Sequence, residues 1–204
     1  MKDLHALFLH SLAGLRVLLA ATLLLGVAYP LLVTGIAQVA LPWQADGSLV
    51  TASGARTEDR DRAVGSALVG QVTESDDLFV PRPSAAGDGY DTLATYGSNL
   101  GPESPELVAA IRERRREVAA REQVDGSAVP PDALTASASG LDPDVSPAYA
   151  RLQVARVAAA QGLSERTVRA LVAEHTSGRT FGILGEPRVH VLALNIDVLR
   201  AAAR

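Results

Sequence analysis

The sequence predicts an α+β protein, with one N-terminal transmembrane helix followed by a single soluble α+β domain. Three observations carry this. Residues 17–45 contain no charged side chain. Two serine–proline pairs, Ser104-Pro105 and Ser146-Pro147, mark helix starts downstream. Short apolar runs at 63–72 and 189–194 read as strands. The length of 204 residues suits one domain of ordinary size with a short appendage. A chain that is 48% hydrophobic yet 21% charged concentrates its apolar excess, and the N-terminus is where it sits.

The first element is the membrane helix, assigned to 15–41 behind a 1–14 tail. Residues 17–41 read VLLAATLLLGVAYPLLVTGIAQVAL, long enough for a hydrocarbon layer of about 30 Å. Pro30, with Gly26 and Gly35 around it, suits a membrane helix, in which neighbouring groups can satisfy the freed carbonyl. Trp43 falls where an interfacial aromatic anchor is expected. A cleaved signal peptide is the alternative, but the apolar run is too long for one and no A-x-A site closes it. Lys2 and Arg16 precede the charge-free run, whereas Arg56 is the first basic residue beyond it. That asymmetry predicts a cytoplasmic N-terminus and an extracytoplasmic C-terminal domain.

Residues 42–62, polar and rich in Asp, Arg, Ser and Gly, read as a juxtamembrane connection, and 63–204 as the soluble domain. After the run at 63–72, residues 79–105 are dense in Pro, Gly, Ser and Asn and read as a long irregular stretch, of the kind that is usually functional or disordered. Ser104 then caps a helix whose Leu107, Val108, Ile111 and Val118 form one stripe as far as about Arg121. A turn-rich stretch covers 125–146. Ser146 starts a second helix ending near Gly162, a C′ glycine. Ser164 starts a third, with Val168, Leu171 and Val172 on one face. Residues 178–187 are turn-rich and lead into the final run.

Composition excludes several chemistries. A net charge of −4 argues against nucleic-acid binding through bulk charge. With no cysteine there is no disulfide scaffold, thiolate zinc site or cysteine nucleophile. Lys2 is the only lysine, so the soluble part holds neither a P-loop lysine nor a Schiff base, and neither glycine-rich nucleotide motif occurs. His5, His10, His175 and His190 lack metal-ligand spacing. The run 112–117 (RERRRE) reads as a solvated helix face. Glu58, Asp59 and Asp61 among arginines, and Glu74, Asp76 and Asp77, read as surface charges. Ser139, Asp142 and His175 supply the residue types of a hydrolase triad without the G-x-S-x-G elbow that would expose a nucleophile.

Three stretches together carry a resemblance. The first is Phe79-Val-Pro-Arg-Pro-Ser-Ala85, with Tyr90-Asp91 and Gly97-Ser-Asn-Leu-Gly-Pro102. The second runs from Val129-Pro130 through Ser139-Gly-Leu-Asp-Pro143 and Val145-Ser-Pro147 to Gln153 and Arg156-Val-Ala158. The third is His175-Thr176, Gly178-Arg-Thr180, Leu184-Gly-Glu-Pro-Arg-Val189, Val191-Leu192 and Leu194-Asn195. In combination, and behind a single membrane helix, they resemble the potassium-transporting ATPase C chain family, the KdpC subunits of bacterial Kdp pumps. Tyr96, Glu103 and His190 depart from that pattern, standing where glycine or serine, threonine, and asparagine are usual.

The resemblance implies a non-catalytic accessory subunit of an ATP-driven high-affinity potassium importer in the bacterial inner membrane. Its implied partners are a channel-like potassium-binding subunit, a P-type ATPase subunit, a small single-helix subunit and the lipid bilayer. Nucleic acid is not among them, and no cofactor is held firmly. Two assisting roles attach to the family. One assembles or stabilises the complex. The other is a catalytic chaperone that raises the ATPase subunit's affinity for ATP, for which Gln153 and Arg156 are the candidate nucleotide contacts. Structural or interface motifs are Arg82, Pro83, Ser84, Ser98, Asn99, Gly101, Pro102, Asp142, Pro143, Arg179, Gly185, Glu186, Pro187 and Arg188. Arg82 sits between prolines on a stiff backbone. An internal ion-pair network is preferred over an interface for Arg179, Glu186 and Arg188. The rival reading is a stand-alone membrane-anchored extracytoplasmic binding module.

Overall fold

The computed structural model describes residues 2–73 and 75–203, with the side chains of residues 2 and 3 left out. The Lys2 side chain and Glu74, singled out above, lie outside the described residues. The chain divides between Ser48 and Leu49 into two units. The first is a rod of α1 (Lys2–Leu23), a π-helical turn at Leu24–Ala28 and α2 (Tyr29–Ala40), followed by the short α3 (Pro42–Ala45). Its apolar span, Leu4–Ala40, covers 37 residues, none of them buried. At about 1.5 Å per residue that is about 55 Å, well beyond a hydrocarbon layer. Residues 2–14 are helical and continuous with the rest of α1. The π turn has a local cause. Proline at 30 has no N–H to donate, and its ring crowds the carbonyl of Gly26 four residues back. Widening the helix relieves that crowding, and the Tyr29 N–H bonds to the Leu24 carbonyl instead.

The second unit opens with β1 (Leu49–Thr51) and β2 (Ala63–Ser66), an antiparallel pair with an irregularity between Val50 and Thr51. Part of the expected juxtamembrane connection thus belongs to this unit. Only four residues of the apolar run at 63–72 are strand. Between Ser66 and Pro105 no described residue lies in a helix or strand. Then follow α4 (Pro105–Glu122), β3 (Asp144–Val145), α5 (Pro147–Gln161), α6 (Glu165–Glu174), β4 (Thr176–Ser177), β5 (Arg188–His190) and α7 (Val191–Ala202). The second sheet is antiparallel in the order β3-β5-β4, with Val145 and Thr176 both opposite Val189.

Serine caps start the three middle helices. The hydroxyls of Ser104, Ser146 and Ser164 accept the N–H of Leu107 (3.5 Å), Tyr149 (3.0 Å) and Thr167 (3.1 Å). Asp132 holds the middle cap, accepting both the N–H (2.7 Å) and the hydroxyl (2.8 Å) of Ser146. Gly162 closes α5 in the left-handed region, φ 64°. Helix α5 packs against α4, α6, α7 and β5. The core is built from Phe79, Tyr149, Val157, Val168, Val189, Leu194 and Val198, all buried.

The run at 189–194 is strand only as far as His190. Alternation of Val189, Val191 and Ala193 suggests β structure, but Val191, Leu194 and Val198 recur at helical spacing and all three are buried. His190 caps this helix: its Nδ1 accepts the Ala193 N–H (3.2 Å), so Nε2 carries the proton and donates to the Ala67 carbonyl (3.0 Å). Asparagine, expected at this position, is the commoner capping residue. The histidine keeps the cap and adds a tie to residue 67.

One turn fixes the loop that feeds β3. Gly140 has φ +71°, and a Cβ there would lie 2.6 Å from Cβ of Ala86 and 2.9 Å from the Tyr96 carbonyl oxygen. Gly140→Ala should destabilise the protein by at least about 2 kcal/mol. A lowered melting temperature of the purified full chain in detergent, followed by circular dichroism, checks this.

Candidate functional site

Residues 76–86 cross α5 and α7 as an irregular strap, with a turn at 76–77 and no partner strand. Side chains take the place of that strand. Asn195, on the buried face of α7, accepts the Phe79 N–H through Oδ1 (2.9 Å) and donates Nδ2 to the Phe79 carbonyl (2.9 Å). Gln153, fully buried on α5, serves Val80 in the same way, accepting at 2.8 Å and donating at 3.1 Å. Arg156, three residues further along α5, donates Nη1 to the carbonyls of Asp76 and Leu78, the latter at 3.0 Å. Its Nη2 donates to Gln153 Oε1 (2.8 Å).

Behind the strap lies a buried carboxylate. The Glu122 side chain is wholly covered and accepts from Nε of Arg121 (2.9 Å) and Nε of Arg156 (3.1 and 3.0 Å to its two oxygens). Two guanidiniums offset a desolvation cost that would otherwise be several kcal/mol. Arg121 also donates Nη2 to the Tyr149 hydroxyl (2.9 Å). Burial opposes the Arg121 charge, but Tyr149 and Glu122 outweigh it and its pKa rises. The Tyr149 pKa also rises, chiefly through burial.

The strap continues through Arg82. Its Nη1 pairs with Asp142 Oδ2 (2.9 Å) and its Nη2 donates to the Thr135 carbonyl (3.3 Å). The Tyr90 hydroxyl donates to the Arg82 carbonyl (2.8 Å), and burial, reinforced by Asp142, pushes its pKa well up. Ser84 donates to the Gly140 carbonyl (2.7 Å) and accepts the N–H groups of Ala86 and Tyr90. Asp142 Oδ1 accepts the Asp144 N–H (3.0 Å), and the Pro143 carbonyl accepts the Val191 N–H (3.0 Å). A cleft of about 290 Å³ opens beside the strap, its lining including Val80, Arg82, Tyr90, Arg114, Arg121 and Tyr149. Arg114 donates to the Leu134 carbonyl (3.0 Å), so all three arginines of the cleft wall already serve the chain itself.

The other expected residues lie apart from the strap. Ser98, Asn99, Gly101 and Pro102 sit in an exposed loop, with Asn99 in the left-handed region at φ 51°. Arg179 pairs with Glu186 (2.7 Å) within the β4–β5 connection, which also holds Gly185 and Pro187. Arg188 pairs with Asp144 (3.0 Å) across the sheet. Burial raises the Asp144 pKa, while His190 and Arg188 oppose the rise. Of the triad residue types, His175 pairs with Asp197 (2.9 Å), Asp142 with Arg82, and Ser139 accepts the Leu141 N–H, so they do not converge. Among the described residues no group of three or more His, Cys, Asp or Glu could hold a metal ion.

Sequence reasoning missed Glu122. An acid in the last turn of a helix opposes the helix dipole, and that unfavourable placement was its signal. Asn195 was part of a motif, but its role required knowing that 191–202 is helix.

Residues 11–200 match the family described as KdpC, K+-transporting ATPase, c chain. The Potassium-transporting ATPase KdpC subunit of Kineococcus radiotolerans is 56% identical over 190 residues, covering 93% of this chain and 92% of that protein. The subunits of the same name from Beijerinckia indica and Gemmatimonas aurantiaca are 48% and 50% identical. The first pairing covers 88% of this chain and 87% of the relative, and the second 92% and 90%.

Gln153→Leu keeps the volume but strands the Val80 N–H and carbonyl. It should cost about 2–5 kcal/mol, read by denaturant unfolding of the full chain. A second expectation concerns pH. Tyr90 stays protonated in the folded protein above pH 10, where an unfolded tyrosine ionises, so the native state binds more protons and stability falls as pH rises. Tyr90→Phe should flatten the loss of melting temperature between about pH 9 and pH 11, while lowering stability near neutrality by removing the donor to Arg82.

Proposed function

The chain belongs to the KdpC family of K+-transporting ATPase c chains, and from that premise we propose a membrane-anchored accessory subunit that assembles and stabilises a potassium-transporting ATPase. The family match over 190 of 204 residues carries this reading. The long unburied apolar helix supports the anchor. A lone helix cannot build a potassium filter, which needs rings of carbonyl oxygens from several segments. Transport and ATP hydrolysis then belong to partners: a channel-like potassium-binding subunit, a P-type ATPase subunit and a small single-helix subunit. This chain has no catalytic site of its own in that scheme. Arg16, just before the charge-free run 17–45, and Arg56, well beyond it, support a cytoplasmic N-terminus and an extracytoplasmic domain.

The inward-turned polar network favours assembly over nucleotide chaperoning. For Gln153 and Arg156 to meet ribose and phosphate, the strap would have to release them, and Glu122 would lose one of its two cations. The chaperone role is therefore the rival arm of the test.

The test is purification through a C-terminal tag in mild detergent from cells expressing the pump genes. The expected outcome is recovery of a many-spanning channel-like protein and a P-type ATPase in fixed ratio, with the tag accessible from outside intact spheroplasts. Recovery of the chain alone would sink the subunit reading in favour of a stand-alone anchored module. Saturable ATP binding by the purified full chain would support the chaperone arm.

A further inference from the structure

The connection between β4 and β5 is a finger with an apolar tip. Thr180 and Leu184 exchange both backbone hydrogen bonds, at 2.8 and 3.0 Å, and residues 181–183 close the loop. Phe181 is 88% exposed, Ile183 76% and Leu184 58%. Phe181 stands at φ +55° and Gly182 at φ +77°. Left-handed backbone at both central positions is the turn that asparagine and glycine favour. A phenylalanine at the first of them is an outlier. The fold therefore accepts local strain in order to place an aromatic ring in solvent, a combination that points to a site of action.

The charges around the tip decide what covers it. Arg179 is neutralised by Glu186 at the base of the loop, and Arg188 by Asp144 on the neighbouring strand. An anionic bilayer surface is recognised by free cations, and the basic groups flanking this tip are already paired. An apolar centre within a rim of satisfied polar groups is the anatomy of a protein interface, and an exposed aromatic on a fixed backbone is a typical anchor.

We propose that the tip formed by Phe181, Ile183 and Leu184 is a peg that docks into an uncharged apolar recess on another subunit of the transport complex. The inference rests on the assembly role proposed above. It assigns the contact to the finger and gives the strained Phe181 its purpose. Arg179 and Glu186 then serve as the brace that holds the loop closed.

The experiment uses the intact complex, isolated from membranes through a tag on the ATPase subunit. Phe181→Asn suits the left-handed turn better than phenylalanine does, so the full chain should melt no lower than wild type. Its retention in the complex should drop at least roughly tenfold, as for removal of an interface anchor. Retention equal to wild type would overturn the peg. Failure of the wild-type chain itself to be retained would instead overturn the assembly reading beneath it.

Phe181→Cys gives a second measurement that does not depend on loss of assembly. The chain has no other cysteine, so a thiol-attached photocrosslinker reports from the tip alone. Crosslinking to a different subunit is expected. Crosslinking only to a second copy of this chain, or quenching of a fluorophore at that thiol by lipid-borne quenchers, would overturn the proposal.

Discussion

A stretch of backbone without secondary structure must still satisfy its polar groups, and the second unit is organised around that need. The strap bearing Phe79 and Val80 lies against the core, with Phe79 fully buried. Each buried donor or acceptor left unpaired would cost about 1–3 kcal/mol. Two amide side chains meet the requirement, Asn195 on α7 and Gln153 on α5, each supplying one donor and one acceptor as a neighbouring strand would. Because the amides sit on different helices, the strap also fixes α5 against α7. Burial of Phe79 is the apolar half of the same contact.

The remaining polar contacts extend from that point in two directions. One passes from Gln153 to Arg156 and on to the buried Glu122, tying the end of α4 to the strap. The other follows the strap to Arg82, whose pairing with Asp142 steadies the loop entering β3. Asp144 on that strand then pairs with Arg188 on β5, at the root of the exposed finger. The finger is therefore mounted on a continuous set of hydrogen bonds reaching back to the core. A peg needs such a rigid base, because an anchor already ordered before docking gives up less conformational freedom on binding.

What the sequence made legible was local. The apolar span needed only composition, and the three serine-capped helices needed only residues within one turn of each start. The π turn at Leu24–Ala28 was not foreseen, although Pro30 was recognised as a perturbation, because relief of its clash can take several backbone forms. Helix α7 was misread because Val189, Val191 and Ala193 satisfy a strand pattern over a short window, while Val198 lies too far along to be weighed with them. The pairing of Phe79 with Asn195 spans 116 positions. No spacing rule reaches so far, so the strap could be recognised only as an irregular stretch. Ser98, Asn99, Gly101 and Pro102 were legible as turn residues, and their exposure says little more.

Gln153 and Arg156 show why residue type alone underdetermines a site. An amide and a guanidinium three residues apart suit ribose and phosphate, and they suit equally well the backbone of an irregular loop. Helix position separates the two uses. Tyr149, Ala150 and Val157 lie four and three residues before Gln153 and four after it, and all are buried. Gln153 belongs to that stripe, so its side chain faces the interior and meets whatever the fold packs there. A polar residue centred on an apolar stripe of a helix beside a long proline-rich loop signals a clamp. The complementary signal is an aromatic at a left-handed turn position with no stripe to join. In this chain the polar groups that resemble a binding site are turned inward to hold the backbone, while the apolar side chains of the finger tip are left facing out.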